Sequence, residues 1–314
     1  MLSSVVSTQV FATGGLMYIP RLLLAVPVIA LATFSTPSVA QITLADDCLR
    51  RVATFDFFVD SSVATKPSNE RQAFIDLFCA QVPKVEAWAA KHNWPISPGL
   101  PRMKILIGEH FLLERSLVPA WEGDRGRVEI PAMRAIPDPS DGLIRADIAH
   151  EIFHVYFPNG NRMLAEGIAI YVQDNTMASP AYPNFGMPVH EAVFCDLYWT
   201  QPPILPTIDL SKLDSIATPL PPMIPLPYGF SPADQQGAKQ QAAYLVSGSF
   251  VTYLIDTYTM GKFQSLYNTT PFEAGRHVTR TRDNWTDVYG RSLRVLEAEW
   301  KAMISGLTNV KCPC

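Results

Sequence analysis

Apolar residues recur at steps of three and four positions along five stretches of this chain, a spacing that predicts helices with a buried side. The stretches lie at residues 69–92, 143–155, 162–173, 240–258 and 292–304. Pro83 falls inside the first and is expected to kink that helix or split it in two, because proline removes a backbone donor. Shorter runs at 103–108 and 127–131 predict strands. The pattern therefore predicts a mixed α+β fold.

The helix predicted at 143–155 should be buried, because most of its faces are apolar, and Pro158 lies just beyond its end. It nevertheless carries His150, Glu151 and His154. Unpaired polar side chains in apolar surroundings would lower stability, whereas a bound metal would satisfy them. The helix is therefore a candidate metal-binding element.

The spacing of the two histidines suits a single metal ion. Residues four apart on a helix are separated by roughly 40° of rotation and about 6 Å of rise, so His150 and His154 can reach one ion. Zinc binds neutral histidine nitrogens, and a catalytic zinc site usually has three protein ligands and one water. Glu151 lies beside the expected water, where its carboxylate can accept a proton.

A third ligand is available on the next predicted helix. Glu166 is the only acidic residue within the apolar stretch 162–173. It is interpreted as the third zinc ligand. The alternative is a local pair with Arg162, four residues earlier, which would be exposed and of little energetic value.

The segments HEIFH at 150–154 and LAEGIAIY at 164–171 resemble the gluzincin branch of the zinc metallopeptidases, in a short peptidase MA-like form. The similarity extends over roughly residues 100–304, and its specific part is the HExxH and AEG pair. The resemblance implies a zincin-like fold: a small mixed sheet, an active-site helix and a mainly helical C-terminal lobe. It also implies a Zn²⁺ cofactor, a peptide or protein substrate and a general base at Glu151.

The resemblance suggests two further features. A residue of the helical lobe often stabilises the oxyanion in such enzymes, and Tyr244 is the candidate here because a phenol can donate a hydrogen bond. A tyrosine at helical spacing is, however, more often part of the core. A strand before the metal helix forms the upper edge of the cleft, so its free edge could pair with an extended peptide. An ordinary edge strand is the equal alternative.

The chain also departs from the gluzincin pattern. The gap between His154 and Glu166 is shorter than in thermolysin-like enzymes and aminopeptidases, and Ile170 stands where thermolysin-like enzymes carry an acid that supports the site. Asp147 is a candidate for orienting His150, or a solvated helix charge. Two other functions therefore stay open. One is a catalytically inactive, peptidase-like protein that binds zinc or peptide, and the other is a structural domain with merely buried, paired histidines.

The N-terminus is interpreted as a secretory signal peptide at residues 1–40, with Met17 as a possible true start. Arg21 precedes a short apolar core at 22–32, and Ser38-Val39-Ala40 offers a cleavage site. The expected location is secreted or periplasmic, with no stable membrane span after cleavage. An uncleaved anchor is the alternative.

Cysteine and charge add to this interpretation. An oxidising compartment favours disulfides, and the expected pairs are Cys48 with Cys79 and Cys195 with one of the tail cysteines, Cys312 or Cys314. Removing residues 1–40 removes Arg21 and no acid, which changes the charge from −4 to −5, with 24 basic and 29 acidic residues. This balance indicates no nucleic-acid partner.

Prolines are concentrated between residues 176 and 240, where regular structure is not expected. The first part of this segment is too apolar for free solution, so we favour a lid or insertion packed over the cleft, with a flexible linker as the alternative. The predicted organisation is an N-terminal α+β lobe at 41–175, this segment at 176–240, and a helical C-terminal lobe at 241–314.

Overall fold

The computed structural model of the chain describes residues 39–41, 55–60, 68–96, 103–108, 115–117, 126–131, 148–176, 182–198, 203–214, 232–270 and 284–312. Pro37–Cys314 form one compact unit. The fold is mixed and mostly helical. Residues 1–38 of the predicted signal peptide lie outside the described residues. Among the described residues, no helix combines the length and apolarity needed to cross a bilayer.

The strands form one mixed five-stranded sheet. Both predicted strands are confirmed and lie side by side near its centre, while the other three were not predicted. In spatial order the strands are β1 (Val39–Gln41), β2 (Phe55–Asp60), β3 (Met103–Gly108), β5 (Arg127–Pro131) and β4 (Arg115–Leu117). The pairs β2–β3 and β3–β5 are parallel, and the two outer pairs are antiparallel.

The prediction that the strand at 127–131 has a free edge is wrong. Strand β5 pairs with β3 on one side, where Arg127 lies opposite Lys104, and with β4 on the other, where Glu129 lies opposite Arg115. The outer strand of the described sheet on this side is therefore β4. It also packs against the helix at Ile148–Tyr156, which carries His150 and His154. With three residues, β4 is too short to show the alternation that identifies a strand in a sequence.

The five predicted helices are present, with shifted ends. They are accompanied by shorter helices that the apolar pattern does not reveal. In chain order the helices are α1 (Ser68–Lys91), α2 (Ile148–Tyr156), α3 (Arg162–Thr176), α4 (Val189–Val193), α5 (Leu210–Leu213), α6 (Pro232–Thr257), α7 (Met260–Tyr267), α8 (Asn284–Tyr289) and α9 (Leu293–Ser305).

Pro83 does not split the first helix, so this part of the prediction is wrong. Helix α1 runs from Ser68 to Lys91 with Pro83 inside it. Val82 and Val85, on either side of the proline, are fully buried. Packing of both flanks against the core offsets the loss of one backbone hydrogen bond.

Helices α3 and α6 approach closely through two glycines. A Cβ at Gly167 would lie 2.4 Å from the side chain of Val251 and 2.5 Å from the carbonyl oxygen of Ser247. A Cβ at Gly248 would lie 2.8 Å from the Ile170 side chain. Ile170, where an acid was expected by resemblance, therefore fills the contact between these helices.

Two described helices within the 176–240 segment are packed against other parts of the protein. Helices α4 and α5 have buried residues, among them Val193 and Leu210, and α4 contacts α6. Helix α6 begins at Pro232 and crosses the predicted boundary at 240. The position of the whole segment over a cleft stays a prediction.

One predicted disulfide is confirmed. Cys195 and Cys312 are bonded across a sequence separation of 117 residues, which ties the proline-rich segment to the C-terminal tail. Cys79 is also disulfide-bonded. Its predicted partner, Cys48, lies outside the described residues, so that pair stays a prediction.

Candidate metal centre

The helix that carries His150, Glu151 and His154 is α2, and every one of its residues from Ile148 to Tyr156 is buried. The turn that follows fixes it against α3. Asn161 caps α3 by accepting the backbone N–H of Leu164 at 3.0 Å, while its own backbone N–H donates to the Asn159 side chain at 2.8 Å. Asn159 also donates to the backbone oxygen of Tyr267 at 2.6 Å. This hydrogen-bonded turn sets the geometry between the two helices that carry the candidate ligands.

Three buried ligand atoms converge between α2 and α3. The Nε2 atom of His150 lies 2.9 Å from Oε2 of Glu166, and Nε2 of His154 lies 3.2 Å from the same oxygen. The two histidine Nε2 atoms are 3.1 Å apart. Together the three residues form a group that could hold a metal ion.

These distances match a shared tetrahedral site. Ligand atoms at about 2.0–2.1 Å from a tetrahedral zinc ion are separated from one another by about 3.3 Å. The three observed separations lie just below that value. A hydrogen-bonded cluster without metal would need protons between these atoms, since two neutral imidazole lone pairs do not attract each other. The point of convergence therefore needs either a metal ion or a proton shared among the three atoms.

Glu166 brings negative charge to this point. Burial alone would raise its pKa, but the Arg162 guanidinium and hydrogen bonds with both histidines hold the pKa of this carboxyl well below its usual range. The residue is fully buried. A buried carboxylate is stable only when paired, and here its two oxygens have different partners.

Arg162 supports the second oxygen of Glu166. Its guanidinium forms an ion pair with Oε1, whereas Oε2 faces the histidines. The sequence therefore predicted this pair correctly as an alternative, but Glu166 is buried and not exposed. Burial would lower the pKa of Arg162, but the Glu166 carboxylate raises it overall. Arg162 stays charged and holds the carboxylate from the side opposite the histidines.

Tyr244 of helix α6 and Glu151 of α2 also lie at this site. The Tyr244 ring is stacked beside the His150 ring, with 6.1 Å between centroids and 24° between planes. The Arg162 guanidinium lies near its hydroxyl. Burial and the charge of Glu166 raise the pKa of Tyr244, and the Glu151 carboxylate is close enough to contribute to the same shift. Helix α6 thus places a phenol beside the first ligand.

Two groups near the centre were not predicted from the sequence. Tyr267 of α7 is buried and donates its hydroxyl to the backbone oxygen of Phe157 at 2.6 Å. Tyr182 packs its ring against Tyr244 at 5.5 Å between centroids. Both depend on contacts between distant parts of the chain, for which the sequence carries no local signal. Asp147, the candidate partner of His150, lies outside the described residues.

No known protein-family model matches this chain, and no curated protein sequence matches it significantly.

Proposed function

We propose that the chain is an exported zinc peptidase that hydrolyses peptide bonds of peptide or protein substrates. The single observation that carries this proposal is the convergence of His150, His154 and Glu166 on one point. These three ligand atoms all lie within 4.8 Å of one another. They come from an HExxH helix and a carboxylate on the next helix, the ligand plan of the gluzincin peptidases that the sequence resembles.

The donor set supports zinc. Two imidazole nitrogens and one carboxylate oxygen suit a catalytic zinc site that keeps a fourth position for water. The same donors also suit non-haem iron(II). Glu151 favours zinc-dependent peptide hydrolysis. It follows His150 on the same helix, so its carboxylate is expected beside the water position.

The chain's own residues have separate parts in the proposed reaction. Zinc, when bound, supplies a water whose pKa is lowered to about 7 and polarises the substrate carbonyl. Glu151 accepts the proton of that water as its oxygen bonds to the carbonyl carbon. Tyr244 donates a hydrogen bond from its phenolic O–H to the carbonyl oxygen as negative charge develops there. Glu151 then delivers the proton to the amide nitrogen as the carbon–nitrogen bond breaks.

The Arg162 guanidinium beside Tyr244 supports this role for the phenol. A phenolic oxygen that faces a guanidinium keeps its own hydrogen for a second partner. The charge of Arg162 also makes the hydroxyl a stronger donor. In this proposal Arg162 is a positioning residue that acts through both Glu166 and Tyr244.

Export is part of the proposal. The predicted signal peptide supports it, and so does the bond between Cys195 and Cys312, because such disulfides persist in oxidising compartments. Cleavage after Ala40 would remove Val39 and Ala40 from strand β1 and leave β2 at that edge of the described sheet. The loss of this short outer strand leaves the helices of the metal centre unchanged.

The second candidate function is a peptidase-like protein that binds zinc or peptide without turnover. It is favoured by Ile170, which packs into the α3–α6 contact and leaves no acid one turn after Glu166. The structure instead provides Arg162 one turn before Glu166. That arrangement supports ligand positioning and does not by itself require turnover.

A Glu151→Gln substitution separates these two functions. The amide has the size of the carboxyl group but cannot accept the water's proton, so hydrolysis of a peptide library should fall by about 10²–10⁴-fold. Zinc content should remain equal to that of the wild type, because Glu151 is not a ligand. Equal hydrolysis by the variant would contradict the mechanism, and a wild type that binds zinc and cleaves nothing would favour the binding protein.

A further inference from the structure

The turn at residues 182–187, directly after α3 in the described chain order, exposes an aromatic side chain. Phe185 is 52% exposed, and it is one of two large hydrophobic residues found exposed among the described residues. Its backbone has φ 47°, in the left-handed region that a bulky side chain rarely adopts, and Gly186 follows with φ 86°. An exposed aromatic residue held in a strained conformation lowers stability, so an explanation through function is warranted.

Hydrogen bonds from two helices hold this turn in place. Gln173 of α3 donates to the backbone oxygen of Tyr182 at 2.9 Å, and Gln241 of α6 donates to that of Pro183 at 3.1 Å. Asn184 is buried and donates to Asp174 and to the backbone oxygen of Met187. The surrounding structure therefore fixes the backbone on both sides of Phe185. A backbone fixed in this way presents the side chain in one defined position.

A row of rings joins Phe185 to the metal centre. The centroids of Phe185 and Tyr182 are 6.0 Å apart, those of Tyr182 and Tyr244 5.5 Å, and those of Tyr244 and His150 6.1 Å. Phe185 is thus no more than about 18 Å from the first candidate ligand. An extended peptide advances about 3.4 Å per residue, so Phe185 lies within roughly five residues of a bond held at the centre.

We propose that Phe185, supported by Tyr182, is a specificity-determining residue that binds an apolar side chain of the peptide substrate. This assignment rests on the proposed peptidase function and names its substrate class as peptides with an aliphatic or aromatic residue near the cleaved bond. Exposed aromatic surface next to a site gains free energy by covering apolar substrate surface. The fixed turn provides the contact without ordering a loop on binding.

Phe185→Asn is the sharpest variant, because asparagine tolerates a positive φ and lacks the apolar ring. It should keep the folded structure and wild-type zinc content, and its thermal stability should equal or exceed that of the wild type. Val295→Asn is the matched control, since Val295 is the other exposed large hydrophobic residue, 44% exposed on α9.

The experiment compares kcat/KM for two peptide series that differ only by leucine or serine at each position within five residues of the cleaved bond. The wild type and Val295→Asn should prefer leucine at one position by about 10-fold. Phe185→Asn should lose that preference through a higher KM for the leucine peptide. Hydrolysis with the preference intact in Phe185→Asn would overturn this assignment alone. A zinc-loaded wild type that cleaves neither series would overturn the proposed function and this assignment with it.

Discussion

Histidine occurs in two contrasting environments in this molecule. His150 and His154, on a wholly buried helix, aim their Nε2 atoms at each other and at a buried carboxylate. His190, on α4, has Nδ1 2.8 Å from the hydroxyl of Ser249 on α6. That hydroxyl also accepts the indole N–H of Trp300 at 2.9 Å.

The difference shows why burial alone does not identify a metal site. Around His190, neutral donors and acceptors satisfy one another, and the network joins α4, α6 and α9 near the Cys195–Cys312 bond. At His150 and His154, three ligand atoms meet at one point, and one of them belongs to the buried Glu166 carboxylate. The first arrangement is complete without a cation. The second becomes complete when a cation lies between the ligands.

The largest effect should come from removing one candidate ligand. His154→Ala should lower zinc affinity by more than about 100-fold, because a ligand contributes more than the groups that orient it, whose loss already costs 10–100-fold. His190→Gln should leave zinc affinity unchanged, since its partner is a hydroxyl. Isothermal titration or chelator competition at fixed pH would measure both.

The same two variants can also contradict the assignment of His154 as a ligand. Equal zinc affinity in His154→Ala and the wild type would remove His154 from the ligand set. A loss of affinity as large in His190→Gln as in His154→Ala would show that general destabilisation, and not ligation, is being measured.

A smaller effect is expected at the residue that orients a ligand. Arg162→Gln should weaken zinc binding by about 10–100-fold, because Glu166 would lose the partner of its Oε1 atom. Arg162→Lys should recover part of this loss, since it keeps a positive charge four residues before Glu166. The matched control is Lys301→Ala, which removes another cation–carboxylate pair at the same spacing, with Glu297 on α9. If Arg162→Gln binds zinc as Lys301→Ala does, Arg162 has no positioning role.

The smallest effect concerns pH and His190. Burial lowers the pKa of His190 to about 4, whereas an unfolded chain takes up this proton near pH 6.5. The contribution of His190 to stability is therefore fully present above about pH 6.5 and falls as the pH decreases from 6.5 to 4. We expect a loss of about 1–2 kcal/mol over this interval, reduced from the full shift because the residue is only partly buried.

His190→Gln should lose this part of the pH dependence. Chemical denaturation of both proteins in metal-free form would measure it, because acid-induced zinc release then makes no contribution. Parallel stability curves for wild type and variant between pH 4 and 6.5 would mean that His190 titrates normally in the folded protein.

The sequence was informative where the apolar period was strong. Helix α3 was predicted at 162–173 and observed at Arg162–Thr176, because its buried residues repeat at helical steps. Helix α6 begins before the predicted start at 240, since the polar stretch after Pro232 shows no apolar period. The outer strands escaped prediction for a different reason. Strands β1 and β4 have three residues each, and their pairing is decided by distant partners.

The candidate site likewise contains residues that the sequence revealed and residues that it did not. His150 and His154 were named from spacing, because four residues on one helix fix a shared direction whatever the rest of the fold does. Glu166 was named as the only acidic residue within the next apolar stretch. Arg162 was seen as a partner of Glu166, but the burial of Glu166 was not, since burial depends on packing between distant parts of the chain. Phe185 gave no local signal, because its position near the centre depends on hydrogen bonds from α3 and α6.

Metal analysis of the purified wild-type protein, after dialysis against metal-free buffer and set beside the His150→Ala/His154→Ala double variant, tests the central claim most directly. The account predicts close to one zinc ion per wild-type chain and none in the double variant. A wild type without bound metal, or a double variant that keeps its zinc, would contradict it.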